Sequence, residues 1–220
     1  MSRLDQQMRE RRERIIAAAH SIIAEAGYDA LSMRVLAQAS QVTVPTIYNL
    51  IGTKEDVAFE AVADQMRGFV SRFKGQDDLL ALVEVAVDDF VSLPVYYRGL
   101  LPALSNRLHI GEEGTRHPMR EQVEATLRAA KSVGDLKEDA DPVLLSERIQ
   151  THLEATSLQW SAGYLDDTSF RAAALFDVAL VGIAVFQGSA VDRFREVLAL
   201  AQSDARLRGR RGEPISRAKA

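Results

Sequence analysis

Along most of the chain, apolar residues return every three or four positions, the period of helices buried on one face. Ile15, Ile16, Ala19, Ile22, Ile23 and Ala26 form the first such stripe, and Gly27 offers a left-handed stop behind it. Ser32 is placed to cap a short helix carrying Met33, Val35, Leu36 and Ala39. After the turn "SQV" a second short helix is expected from Thr43, with Pro45 in its first turn, where the missing N–H breaks no helical bond. Gly52 ends it. Thr53 then caps a longer helix holding Val57, Ala61, Val62, Met66, Phe69 and Phe73, with Asp56 in the position of a capping-box carboxylate.

The polar stretch "KGQDD" at 74–78 is the first break, so the chain divides into an N-terminal module, 1–74, and a body, 75–205. In the body, helical runs are expected at 79–91, 100–108, 119–131, 143–163, 170–186 and 191–201. Pro94, Pro118 and the pair Asp141-Pro142 read as helix starts. No strand-like alternation of useful length occurs, and the fold class predicted is all-α. The segment 206–220, charged and containing Gly and Pro, is expected to be a disordered basic tail.

Composition narrows the class. Apolar residues make up 47% of 220, enough for a sizeable core. No run of 18 or more apolar residues suggests a membrane span, and no apolar segment follows the charged N-terminal stretch as in a secretory signal. Absence of cysteine excludes disulfides and thiolate metal sites and suits a cytoplasmic protein. Charge is uneven: 7 Lys and Arg against 5 Asp and Glu over 1–54, 14 against 25 over 55–204, and 6 against 1 over 205–220. A basic module on an acidic body is compatible with nucleic-acid binding by that module.

The 43–50 helix carries the candidate chemistry. Ile47, Leu50 and Ile51 share one face at i, i+3 and i+4, which leaves Pro45, Thr46, Tyr48 and Asn49 outward. A solvated face is usually Lys, Glu and Arg. Hydroxyls, a ring and an amide instead suit phosphate oxygens and base edges. With the preceding helix and turn, this is a helix-turn-helix, whose second helix enters the major groove of double-stranded DNA. The plainer alternative is a helical hairpin in which Tyr48 only packs. Asn49 is the side chain suited to read adenine, while Val44 and Pro45 offer only apolar contact, for instance to a thymine methyl. Arg3, Arg9, Arg11, Arg12 and Arg14 either add non-specific affinity or form a solvated arm interleaved with Asp5, Glu10 and Glu13.

The stretch from Ile15 to Val57 resembles the DNA-binding module of the TetR family of bacterial transcriptional regulators. The matching positions are Gly27-Tyr28, Ser32, Leu36-Ala37, Val42-Thr43, Thr46-Ile47-Tyr48 and Thr53-Lys54-Glu55. Gln41 stands where the family usually has glycine, Ile51 where it has Phe, and Pro45 where glycine is common. The resemblance implies that Tyr48, Thr46 and Lys54 hold phosphates and that Thr43 caps the recognition helix and shares its hydroxyl with a phosphate. It also implies that Arg34 reaches the backbone or a guanine. A variable helical body that binds a small effector and pairs as a homodimer is implied as well, and so is a palindromic operator.

The dimer helices are expected within 143–163 and 170–186, the latter being apolar nearly all round, although such a helix also suits the core of a monomer. Phe90, Tyr96, Tyr97, His109, Met119, His152 and Trp160 are candidate walls for an apolar or aromatic effector, and each also suits ordinary core or surface. His109, His117 and His152 lack metal-ligand spacing, so no metal is expected. Phosphate loops, nucleophile elbows and HExxH are absent from the sequence, and Asp88-Asp89 and Asp166-Asp167 read as solvated charge. Neither catalysis nor a cofactor is expected. The function predicted is a sequence-specific DNA-binding regulator, a repressor released by its effector, with an activator or a regulator without a ligand as the alternative and an all-helical enzyme as the more remote one.

Overall fold

The computed structural model describes residues 3–72, 78–109 and 118–203, and among them the chain forms ten α-helices and one 3₁₀ turn. The N-terminal module comprises α1 (Arg3–Ala26), the 3₁₀ turn Tyr28–Ala30, α2 (Met33–Ser40), α3 (Val44–Leu50) and α4 (Lys54–Arg72). Each short helix starts where a side chain can satisfy its orphan N–H groups. Ser32 Oγ accepts from Val35 N (3.2 Å) and Thr43 Oγ1 from Thr46 N (3.3 Å). Thr53 and Asp56 cap α4 reciprocally: Thr53 N donates to Asp56 Oδ2 (2.7 Å) and Asp56 N to Thr53 Oγ1 (3.2 Å). A seven-residue helix such as α3 cannot persist alone in water. It is held by Ile47, wholly buried against a core that includes Ile15, Ile23, Leu36 and Val57, and burying such a side chain contributes about 1.5–3 kcal/mol.

The body comprises α5 (Leu79–Ser92), α6 (Pro94–His109), α7 (Pro118–Ser132), α8 (Pro142–Ser161), α9 (Asp167–Val185) and α10 (Ala190–Ser203). Asp78 and Asp141 cap α5 and α8, each accepting two backbone N–H groups. α9 packs against α5, α8 and α10. It alone among the described helices is long and apolar enough to cross a membrane by composition, with a mean hydropathy of 1.6. Here it is a bundle helix that buries Phe170, Ala174, Val178, Ala179 and Gly182 and leaves Leu180 exposed. A single antiparallel bridge, Leu136 to Phe186, ties the α7–α8 loop to the end of α9.

One expectation needs correction. Gly27 has a positive φ of 80° but ψ 171°, so it turns the chain through an extended, not a left-handed helical, conformation. The apolar run expected at 100–108 is the later part of a longer helix, α6, which opens at Pro94, the start read from the sequence, and buries Tyr96 and Tyr97 on one face. The expected break at 74–78 lies outside the described residues except Asp78, as does the expected tail at 206–220.

The module is not loosely tethered. α1 packs on α6, and α4 packs on α6 and α7. At the first of these contacts the Tyr96 hydroxyl meets His20 Nδ1 at 2.9 Å, with the two rings stacked 5.7 Å apart.

Candidate nucleic-acid interface and buried cavity

α2, the turn at Gln41 and α3 form a helix-turn-helix. Gln41 occupies the left-handed region (φ 55°, ψ 43°) and its N–H reaches back to the α2 carbonyls of Ala37 and Gln38. It is the one non-glycine residue with positive φ among those described. Glycine is the residue that takes this conformation without steric cost.

The exposed surface of α3 carries Pro45, Tyr48 and Asn49, with Val44 and Thr46 half-buried beside them. Tyr48 is 52% exposed, a large ring left in solvent on a helix that otherwise buries its apolar face. The Thr43 and Thr46 hydroxyls share a 2.8 Å hydrogen bond at the N-terminus of the helix. Arg34 is exposed on α2. Lys54 begins α4 with its ammonium 4.1 Å from the centre of the Tyr28 ring, a cation–π contact that fixes the charge next to α3. Gly52, at φ 132°, connects the two helices. A Cβ there would lie 2.2 Å from Asp56 Oδ2, so the α4 cap itself requires glycine.

Arg12 departs from its sequence reading. Arg3, Arg9, Arg11 and Arg14 are exposed along α1, whereas Arg12 turns inward. Its Nη1 donates to Leu50 O (3.1 Å) in the last turn of α3, and its Nη2 pairs with Glu60 on α4 at 2.7 Å. It therefore ties three helices together at the end of α3. Nothing in local sequence singles Arg12 out from its neighbours, because the acceptor lies 38 residues away.

In the body, a cavity of about 50 Å³ lies among α4, α5, α6, α7, α8 and α9. Phe90 and Met119 line it, together with Met66, Leu101, Gln150 and Phe170. Tyr96, Tyr97 and Trp160 do not. They are buried in an adjoining aromatic cluster in which Phe90 stacks on Tyr97 (4.2 Å) and Trp160 on Phe170 (5.1 Å). Burial pushes the Tyr96 and Tyr97 phenols well above their ordinary value, so both keep their protons at neutral pH. Tyr97 donates to Asp89 at 2.6 Å, and Trp160 Nε1 donates to Asp167 at 2.8 Å.

His152 is exposed on α8 and does not line the cavity, because it lies off the helix face that carries Gln150, Leu153 and Ser157. His109 ends α6, and its side chain lies outside the described residues. The sequence reading missed Gln150, Leu153 and Ser157 on the cavity wall, although their i, i+3, i+7 spacing places them on one face of α8. A larger groove of about 470 Å³ lies between α5, α7 and α10, but it is open to solvent and spanned by the Asp78–Arg193 ion pair. Among the described residues no three His, Asp or Glu side chains gather as a metal site.

An exposed recognition helix on a capped helix-turn-helix, joined to a helical body, defines a DNA-binding regulator. Residues 15–61 match the family described as bacterial regulatory proteins, tetR family. Over these residues the N-terminal module is similar to that family's, and the helical body is similar in architecture to solved structures of such regulators. A TetR-family transcriptional regulator from Rhodococcus sp. is 19% identical, with a TM-score of 0.54, covering 79% of this chain and 99% of that one. RolR, solved with resorcinol, is 17% identical, with a TM-score of 0.55, covering 89% of this chain and 96% of that one. TylP from Streptomyces fradiae is 20% identical, with a TM-score of 0.51 and 94% of each chain covered. These likenesses establish the fold. No curated protein matches the chain.

Proposed function

We propose that the protein is a homodimeric repressor that reads a palindromic operator through α3 and leaves it when a small apolar or aromatic effector enters the body. The outward face of α3, with Tyr48 and Asn49 exposed beside Lys54, carries the reading. Tyr48, Thr46 and Lys54 hold phosphates, with Arg34 on the backbone or a guanine. Thr43 caps the helix and shares its hydroxyl with a phosphate. Asn49 presents the amide that matches the adenine edge, and Val44 and Pro45 give apolar contact at the groove floor.

Leu180 and half-buried Phe176 and Ile183 on α9, with exposed Leu144 on α8, supply the dimer face. A second copy paired there brings a second α3 to the same side of the duplex. Met66 on α4 lines the body cavity, so a guest that enlarges it displaces the last helix of the DNA module. Because the duplex repeats about every 10–10.5 bp, a modest change in the separation of two modules removes one from its groove.

The experiment is selection of binding sites from a random DNA pool, followed by affinity against salt for variants. Tyr48→Ala and Lys54→Ala should weaken binding to all sequences and flatten the salt dependence. Asn49→Ala should cost about 1–3 kcal/mol and relax one base position. A pool that yields no preferred sequence would overturn the reading.

A further inference from the structure

The cavity wall holds one polar atom that its surroundings leave unsatisfied. Gln150 is 9% exposed, and its Oε1 has no hydrogen-bond partner among the described residues. The amide orientation follows from its neighbour. Nε2 donates to Glu154 Oε1 at 2.8 Å, and an ionised carboxylate can only accept, so the NH₂ must face Glu154 and the carbonyl must face away. The rest of the wall is mostly apolar and aromatic, with Phe90 and Phe170 as its rings and Met66 and Met119 as its most deformable side chains. A buried carbonyl without a protein donor bears the cost of its desolvation uncompensated, and a guest that donates to it removes that cost.

From this we infer that the effector is a single-ring compound bearing a hydroxyl or N–H donor, a phenol in its simplest form, and that Gln150 Oε1 accepts that donor. The inference rests on the effector reading above and adds the chemical class. Size limits the guest to one ring. At about 50 Å³ the cavity exceeds what one water needs but is smaller than a ring requires, so Met66 and Met119 must yield on entry. An acid is disfavoured, because Glu154 also lines the cavity and would face the second charge. A purely apolar ring of the same size would leave the carbonyl unpaired, and such sites discriminate strongly against analogues lacking the donor.

The test uses the full chain and three probes of similar shape: phenol, its methyl ether anisole, and toluene. Trp160, the single tryptophan, stacks on the cavity-lining Phe170, so its fluorescence reports entry without a label. Phenol should bind at least about tenfold more tightly than anisole or toluene. Gln150→Met, which keeps length and removes the acceptor, should erase that preference and leave toluene binding equal or tighter. Circular dichroism checks that the variant is folded, and the comparison among probes on the unaltered protein needs no variant. Equal affinity for the three probes, no binding of any of them, or an undiminished phenol preference in folded Gln150→Met would each overturn the inference. If phenol binds with the expected preference yet leaves operator affinity unchanged, the donor site stands and the release mechanism fails.

Discussion

Replacing Arg12 with alanine separates two roles that an arginine near DNA can have. In the structure its guanidinium meets Leu50 O at 3.1 Å and Glu60 at 2.7 Å. The carbonyl belongs to the last turn of α3, where no further helical N–H is available to it. A hydrogen bond from a charged donor contributes about 1.5–3 kcal/mol when buried. The Arg12 side chain is 40% exposed, so screening brings that contact towards about 1 kcal/mol, and the pair with Glu60 adds about 0.2–1. The total loss should be about 1–2 kcal/mol. Since seven residues cannot hold a helix alone, the loss falls on the order of α3. Operator affinity should then drop roughly 5–30-fold, each 1.4 kcal/mol being tenfold.

Salt dependence distinguishes this from a phosphate contact. Each neutralised phosphate contributes about 0.9 to the slope of log affinity against log salt. If Arg12 positions α3, anisotropy titrations of labelled operator should give a parallel shift with unchanged slope, and the urea midpoint should fall. Arg12→Lys keeps the charge but cannot reach both acceptors as a fork, so it should restore only part of the loss. Arg11→Ala, at an exposed position on the same helix, serves as the control. A slope reduced by about one with an unchanged urea midpoint would refute the reasoning and make Arg12 a phosphate contact instead.

Leu180→Glu places a charge on the exposed face of α9 and should convert the dimer to a folded monomer in sedimentation; a dimer of normal affinity would exclude that face. Ala174 and Val178 are unsuitable for the same test, because both are buried within the subunit's own core. Gly182→Ala would bring a Cβ within 2.2 Å of the Phe194 ring, which itself packs on Phe186, and should cost about 1–3 kcal/mol in urea unfolding. Burial holds His20 below its ordinary value of 6.5, outweighing the opposing pull of Asp64, so the fold favours the neutral ring. Its contribution is complete above about pH 6.5 and is lost as pH falls through the lowered value. The melting temperature should therefore drop more steeply between about pH 7 and 5.5 for the unaltered protein than for His20→Asn, and equal slopes would remove His20 as the cause.

Local chemistry determined what the sequence could reveal. Ser32, Thr43 and the Thr53/Asp56 pair cap helices through partners three residues away, and Ile47 follows the helical period, so α2, α3 and the start of α4 were legible in order. The outward set on α3 followed from the same period, since a buried stripe fixes the opposite face.

Tertiary structure decided the rest. Arg12 differs from Arg11 only through an acceptor 38 residues away. Phe90 and Tyr97 look alike as aromatic candidates, yet one borders the cavity and the other spends its hydroxyl on Asp89. Gln150 reads as an ordinary polar residue on an amphipathic helix. It becomes a potential acceptor only because five other helices close around it while its amide nitrogen is held by Glu154. Helical period and caps are properties of neighbours along the chain. A cavity and an unpartnered carbonyl are properties of how separate helices meet, which no single segment encodes.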